Sequence, residues 1–157
     1  MSHRTSALDP GEIEVRDGVG TDRLPELMGL FATEWWTADR TADDVERMLA
    51  ASDLVFAAVL APADRLVGFA RVLTDHAYVA LVLDVIAAAD VRGRGVGRVL
   101  LDAVVSHPEL VGVRSIELVC QPELVPFYRR WGFTDQVGRS LLLRRTTDPR
   151  LANGVGS

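Results

Sequence analysis

Seven consecutive residues, Arg92-Gly93-Arg94-Gly95-Val96-Gly97-Arg98, combine what an anionic ligand needs: glycines that let backbone come close and arginines that supply charge. The loop follows an apolar run, Val79 to Ala87, interrupted by a single acid, Asp84. It leads into Val96, Val99, Leu100, Ala103 and Val104, which fall at i, i+3, i+4, i+7 and i+8 and so share one face of a helix. The unit is strand, tight glycine loop, helix. The first amides of a helix lack intrahelical acceptors and carry the positive end of its dipole, so this junction is a phosphate seat. The dipole contributes only about 0.3–1 kcal/mol near a surface, but Arg92, Arg94 and Arg98 add side-chain charge around the same turn. The guest that fits is a polyphosphate; the alternative is a glycine turn that serves packing alone.

Spacing separates the candidate loops. A mononucleotide loop requires Gly-x-x-x-x-Gly-Lys-Ser/Thr, and the chain has no lysine. A dinucleotide fingerprint requires Gly-x-Gly-x-x-Gly, which Gly93, Gly95 and Gly97 miss at the third spacing. What is present is Arg-x-x-Gly-x-Gly at Arg92, Gly95 and Gly97, preceded by Asp84-Val85-Ile86. About thirty residues on stands Glu123-Leu124-Val125-Pro126-Phe127-Tyr128-Arg129-Arg130-Trp131-Gly132-Phe133.

Together these two stretches resemble the pyrophosphate loop and the last helix of the GNAT superfamily of acyl-CoA-dependent N-acetyltransferases. The segments Arg71-Val72-Leu73-Thr74-Asp75 and Asp84-Val85 are similar to those of its small bacterial members. The resemblance implies an α+β, GNAT-like fold, a mixed central sheet flanked by about four helices, with acetyl-CoA as co-substrate and a primary amine as acceptor. It assigns the backbone of Val85, Ile86 and Ala87 to the pantetheine chain. It assigns Arg92, Gly93, Arg94, Gly95, Val96, Gly97 and Arg98 to the pyrophosphate, with glycines where a Cβ would block close approach. An amide near Val85 would polarise the thioester carbonyl, and Tyr128 would protonate the leaving thiolate.

Each assignment has a plain structural alternative. Tyr128 also lies on the apolar stripe of its own helix, as a core tyrosine would. Positions that carry the base in relatives fall on Leu81 and Leu83, which cannot titrate, so Asp84 is either the base or a buried structural acid. Strict alternation points Asp84 away from Leu81 and Leu83, and a bulge would change that. Glu34, Trp36, Asp75 and Tyr78 are the expected acceptor-side residues, with Trp35 and His76 as weaker members of the pool. Trp35 extends the core stripe of its helix, and Asp75 also suits a turn cap. A non-catalytic acyl-CoA-binding domain is the rival function, and a structural dimer module a third; homodimerisation is open.

Composition narrows the field further. A net charge of −5 and a pI near 5.1 argue against an extended nucleic-acid surface, which must neutralise several phosphates. The single cysteine, Cys120, permits no intramolecular disulfide and no cysteine-rich zinc site, so no metal is expected. The polar first eleven residues lack the apolar core of a signal peptide, and no run reaches the roughly 18–20 apolar residues of a membrane span. A cytoplasmic protein is expected. Arginine without lysine points to a GC-rich bacterial genome.

The remaining elements must position these residues. A tail over 1–11 precedes a single domain over 12–146, and a second tail covers 147–157. Within the domain, Ile13 to Asp17 reads as a strand, and Leu24, Leu27, Met28, Phe31 and Trp35 as a helix to about Trp36. Thr41 to Asp44 has the shape of a capping box. Leu54 to Leu60 and Leu66 to Leu73 read as a hairpin, and Ser115 to Cys120 as a half-buried strand. A helix through Tyr128 ends at Gly132, and Phe133 to Val137 with Ser140 to Arg144 should close the fold as a strand pair.

Overall fold

β-branched and other apolar runs form five strands, β1 (Ile13–Asp17), β2 (Leu54–Leu60), β3 (Arg65–Thr74), β4 (Val79–Ala87) and β5 (Ser115–Leu118). In the computed structural model, which describes residues 12–152, they lie side by side in chain order. The expected tail over 1–11 falls outside the described residues. β1 to β4 pair antiparallel, and β5 joins β4 parallel, which makes the sheet mixed. The helices are α1 (Leu24–Phe31), α2 (Ala42–Ala51), α3 (Val96–Ser106) and the short α4 (Val125–Tyr128). The chain divides into two compact units, residues 1–120 with the sheet and α1 to α3, and residues 121–157 with α4.

Two neighbouring residues of β3 show how the helices cover the sheet. A Cβ built on Gly68 would lie 2.5 Å from Val96 Cγ1 and 3.1 Å from Leu100 Cδ1, so this residue faces α3. The next, Phe69, meets Phe31 of α1 edge-on with ring centroids 5.3 Å apart. Successive strand residues point to opposite faces, so α1 and α3 cover opposite sides of the sheet. The α3 face buries Val72, Ala80, Val96, Leu100 and Val104 almost completely. Among the described residues, no helix is long and apolar enough to cross a membrane.

Local signals account for most boundaries. Thr41 caps α2 by accepting from the Asp44 amide, as the capping-box pattern requires. α1, expected to reach Trp36, stops at Phe31. There Thr33 Oγ1 donates to the Leu30 carbonyl and Thr37 Oγ1 to the Phe31 carbonyl, both at 2.6 Å, so side chains occupy acceptors that another helical turn would use. β5 ends at Leu118, two residues short of Cys120.

In the second unit, α4 has four residues between 3-10 turns at Pro122–Leu124 and Arg129–Trp131, with Pro126 in its first turn. Gly132 ends the second of these turns at φ +86°, the C-cap read from the sequence. The expected closing strands over 133–137 and 140–144 do not form. Leu141, Leu142 and Leu143 run without alternation, so they define no single apolar face, and a ribbon of two strands is marginal alone. All three leucines are exposed.

The close approach at Gly68 makes a stability test. Gly68→Ala places a methyl against Val96 and 3.1 Å from the Ala58 Cβ, where neither neighbour has a long side chain to swing away. We expect a loss of about 1–3 kcal/mol, the usual cost of overpacking, read as a lower midpoint in thermal melts; an unchanged midpoint would mean that α3 does not rest on this glycine.

Candidate active site

β5 accompanies β4 only to the pair Val82 and Leu118, and β4 runs on to Ala87. From Leu83 onward, no strand among the described residues covers that edge of β4. On its other edge the register with β3 slips: Arg71 faces Leu83 and Phe69 faces Ile86, leaving Asp84 and Val85 opposite the single residue Ala70. This is a β-bulge, and Asp84 holds φ +56° within it, a left-handed conformation that aspartate tolerates better than most residues.

The bulge resets the alternation. Arg71 lies two residues from Phe69 and therefore on the α1 face, and Asp84 hydrogen-bonds to it there. Asp84 thus shares a face with the register partner of Leu83, contrary to strict alternation.

Its carboxylate, 4% exposed, is surrounded by cations. Arg40 Nη1 and Nη2 donate to Oδ2 and Oδ1 at 2.7 and 2.9 Å, and Arg71 Nε donates to Oδ2 at 2.7 Å. Burial alone pushes the Asp84 pKa up and is the largest single influence, but hydrogen bonds and charge from Arg40 and then Arg71 together outweigh it. The pKa is lowered, so Asp84 is a poor proton acceptor. Of its two sequence readings, base or structural acid, this environment favours the second. Neither arginine was anticipated as its partner. A lone Arg71 in one apolar strand and a lone Asp84 in the next carried a usable signal; Arg40, 44 residues away, carried none.

The glycine loop follows β4 after a 3-10 turn at Ala89–Val91. Gly93 and Gly95 adopt φ +80° and +95°, and no protein atom lies within 4 Å of a Cβ built on either. Inside the protein, then, these glycines are needed for conformation rather than for room. Gly95 is the N-cap of α3 and offers no side-chain acceptor, which leaves the first helical amides to water or a ligand. Val96 is buried, so only its backbone can serve a ligand; Arg98 is exposed and Arg94 half-buried. Arg92 makes a close ion pair with Glu34 and a longer hydrogen bond from Nε to the Ala87 carbonyl at 3.4 Å.

The expected acceptor-side residues scatter. Glu34 is engaged by Arg92. Trp35 is exposed and Trp36 half-buried, the reverse of the order expected when the helix was extended through them. Asp75 Oδ1 accepts from the amides of Ala77, Tyr78 and Val79 at 2.7–3.0 Å. Those bonds, with Val79 first, lower its pKa and make it a turn cap. Tyr78 is 62% exposed beneath the Arg114 guanidinium, 4.9 Å from its ring centroid. An open groove of about 480 Å³ has Leu73 and Leu81 in its lining with Asp53, Asp75 and Glu117. Asp53 and Glu117 were not singled out in the sequence, where isolated surface acids carry no pattern.

In the second unit, Tyr128 is buried and meets Phe127 and Phe133 edge-on at 5.0 and 6.0 Å.

A family model described as an acetyltransferase (GNAT) domain matches residues 21–141. The chain belongs to the GNAT acetyltransferase family. Its fold superposes on a GNAT-family acetyltransferase structure from Xanthomonas campestris pv. campestris with a TM-score of 0.70 and 32% identity, covering 85% of this chain and 94% of that one. It also matches the fold of the aminoglycoside N-acetyltransferase AAC(6')-Iy in complex with CoA, at a TM-score of 0.65 and 21% identity over 87% and 95% of the two chains. Over 69 residues it is 35% identical to the uncharacterized N-acetyltransferase ycf52 of Porphyra purpurea, a stretch that spans 44% of this chain and 40% of that relative. Within the GNAT fold described above, the uncovered β4 edge, the glycine loop and the α3 N-terminus follow one another along the chain.

The depressed pKa of Asp84 has a thermodynamic consequence. A carboxyl whose folded pKa lies below its unfolded value, about 3.9, contributes stability that is complete above that value and is lost as pH falls through the folded one. Asp84→Ala strands two arginines and should cost about 3–5 kcal/mol at neutral pH. In thermal melts the gap between wild type and variant should narrow as the solution is acidified from pH 6 toward roughly pH 3. A gap that stays constant would show that the ion pairs contribute nothing to it.

Proposed function

We propose that this chain transfers an acetyl group from acetyl-CoA to a primary amine by direct attack. The observation that carries this reading is the uncovered edge of β4 followed, after a 3-10 turn at Ala89–Val91, by a positive-φ glycine loop that caps α3. Family membership and the CoA complex of a protein with the same fold support it. In this reading the backbone of Val85, Ile86 and Ala87 takes the pantetheine amides. The segment Arg92 to Arg98 takes the pyrophosphate through amides and the charges of Arg94 and Arg98, with Arg92 shared with Glu34. An amide near Val85 polarises the thioester carbonyl as an oxyanion donor does. The amine nitrogen bonds to the carbonyl carbon, the carbon–sulfur bond breaks, and Tyr128 supplies the proton to the departing sulfur.

The proton that the amine must lose goes to water. Leu81 and Leu83 cannot accept it, and Asp84 is held ionised by two guanidiniums. Glu34, Trp36, Asp75 and Tyr78 remain the acceptor-side candidates, with Asp75 acting through the turn it caps. The same lack of a ready base favours the second reading, a domain that binds acyl-CoA without turning it over.

Gly95→Val cannot hold φ +95° without strain, so calorimetry should show acetyl-CoA affinity lost in a protein that still melts cooperatively; retained affinity would remove the cofactor assignment. Free-thiol release with a panel of amines separates the enzyme from the binding domain.

Tyr128→Phe keeps the ring contacts to Phe127 and Phe133 and deletes only the hydroxyl. Turnover should fall roughly 10²–10⁴-fold, the usual span for general-acid catalysis, with acetyl-CoA affinity near wild type. Unaffected turnover would make Tyr128 a core residue. In the wild type, the rate should rise with pH toward the pKa of the free amine; a flat profile from pH 7 to 9, with chemistry limiting, contradicts deprotonation through water.

A further inference from the structure

The segment from Ala32 to Arg40, between α1 and α2, is tied to β4 at one place and to the loop after it at another. Arg40 forks onto Asp84 at the bulge, and Glu34 pairs with Arg92 just beyond the end of β4. The nine-residue strap is itself folded by Thr37, which is 1% exposed and donates to the Phe31 carbonyl, and by the Arg40 amide, which donates to the Thr37 carbonyl at 3.2 Å. The Arg40 guanidinium is held from other sides as well: its Cζ lies 5.1 Å from the Phe31 ring centroid, and Nη1 lies 3.6 Å from Met48 Sδ on α2. Both helices therefore fix the fork that grips Asp84.

We infer that Arg40 is a positioning residue, which through Asp84 locks the β4 bulge and so fixes the direction of the Val85 peptide. The inference rests on the proposed function for what that peptide does, but the lock is a property of the fold itself. Asp84 sits in a backbone conformation that a non-glycine residue leaves readily unless its surroundings hold it. Arg71 grips the same carboxylate from β3, the strand against which the register has slipped. Its single bond through Nε anchors Asp84 to the sheet. The fork from Arg40 is different in kind: it ties both carboxylate oxygens to the strap, and two parallel bonds fix a plane as well as a distance. The strap carries Glu34 and Trp36 from the expected acceptor side. One guanidinium thereby couples the acceptor-side segment to the backbone that meets the thioester.

Arg40→Met is the discriminating substitution. Methionine keeps an apolar stem beside Phe31 and Met48, and Asp84 retains Arg71, so no carboxylate is left buried without a cation. The first readout needs no substrate: backbone ¹⁵N order parameters of Asp84 and Val85 should fall from about 0.85 to about 0.6 or below, the step from rigid to flexible backbone, while Val72 and Val82 stay rigid. The second is kinetic. Turnover should fall roughly 10–100-fold, as expected for reacting groups misplaced by about an ångström, with acetyl-CoA affinity within about threefold of wild type. Arg40→Lys keeps the charge without the planar fork and should lie between the two; it replaces Arg40→Met if that variant does not fold. Unchanged order parameters at Asp84 and Val85 overturn the inference, as does a loosening shared equally by Val72, or a looser bulge with full turnover. A wild-type protein that acetylates no amine refutes the proposed function alone, because the order parameters still decide the lock.

Discussion

A carboxylate that is 4% exposed stays ionised only where cations offset the lost hydration, and Asp84 has two. Desolvation of three charged groups makes such clusters weak sources of net stability, and apolar residues of the same volume often do as well. What an apolar side chain of that volume would lack is a directed bond to hold a left-handed backbone in place. An aspartate tolerates left-handed φ and, once bonded to Arg40 and Arg71, can lie in only one place. The slip in register, the reset of alternation along β4 and the divergence of Asp84 and Val85 from the β3 ladder all follow from that fixed point.

Beyond the bulge, a second constraint takes over. α3 can begin where it does because β3 carries glycine at residue 68, which lets Val96 and Leu100 sit directly on the sheet. The loop between the end of β4 and Val96 must then turn sharply, and Gly93 and Gly95 supply two left-handed residues at little steric cost. The exposed amides of the α3 N-terminus follow from this geometry, since Gly95 brings no side chain to cap them. Close packing on one face of β3 and uncapped amides at the start of α3 are two results of the same connection.

Signals confined to a few adjacent residues were readable in the sequence. The capping box at Thr41, the strand–loop–helix order around Gly95 and the left-handed stop at Gly132 each depend on local chemistry alone. Competition for backbone acceptors was not readable: Thr33 and Thr37 end α1 at Phe31, and the shortened helix exchanged the environments expected for Trp35 and Trp36. Pairing across long separations was equally hidden, so Asp84 was visible as an anomaly in its strand while Arg40 was not visible at all. Segment 140–144 misled for another reason, because apolar content without alternation looks like a strand yet defines no face to bury.

The fixed point at Asp84 also bears on how an amine could react beside it. Each acid singled out in the sequence for a role near the amine is already committed: Asp84 to two arginines, Glu34 to Arg92, Asp75 to three backbone amides. A base recruited from among them would have to break those bonds first. An amine with a pKa near 10 must give up about 4 kcal/mol to become neutral at pH 7, at 1.36 kcal/mol per unit. Two guanidiniums around one carboxylate leave a surplus positive charge on the α1 face of β4, and a nearby positive charge lowers the pKa of an ammonium. For an acceptor bound beside it, the cluster would reduce the deprotonation cost without accepting the proton itself.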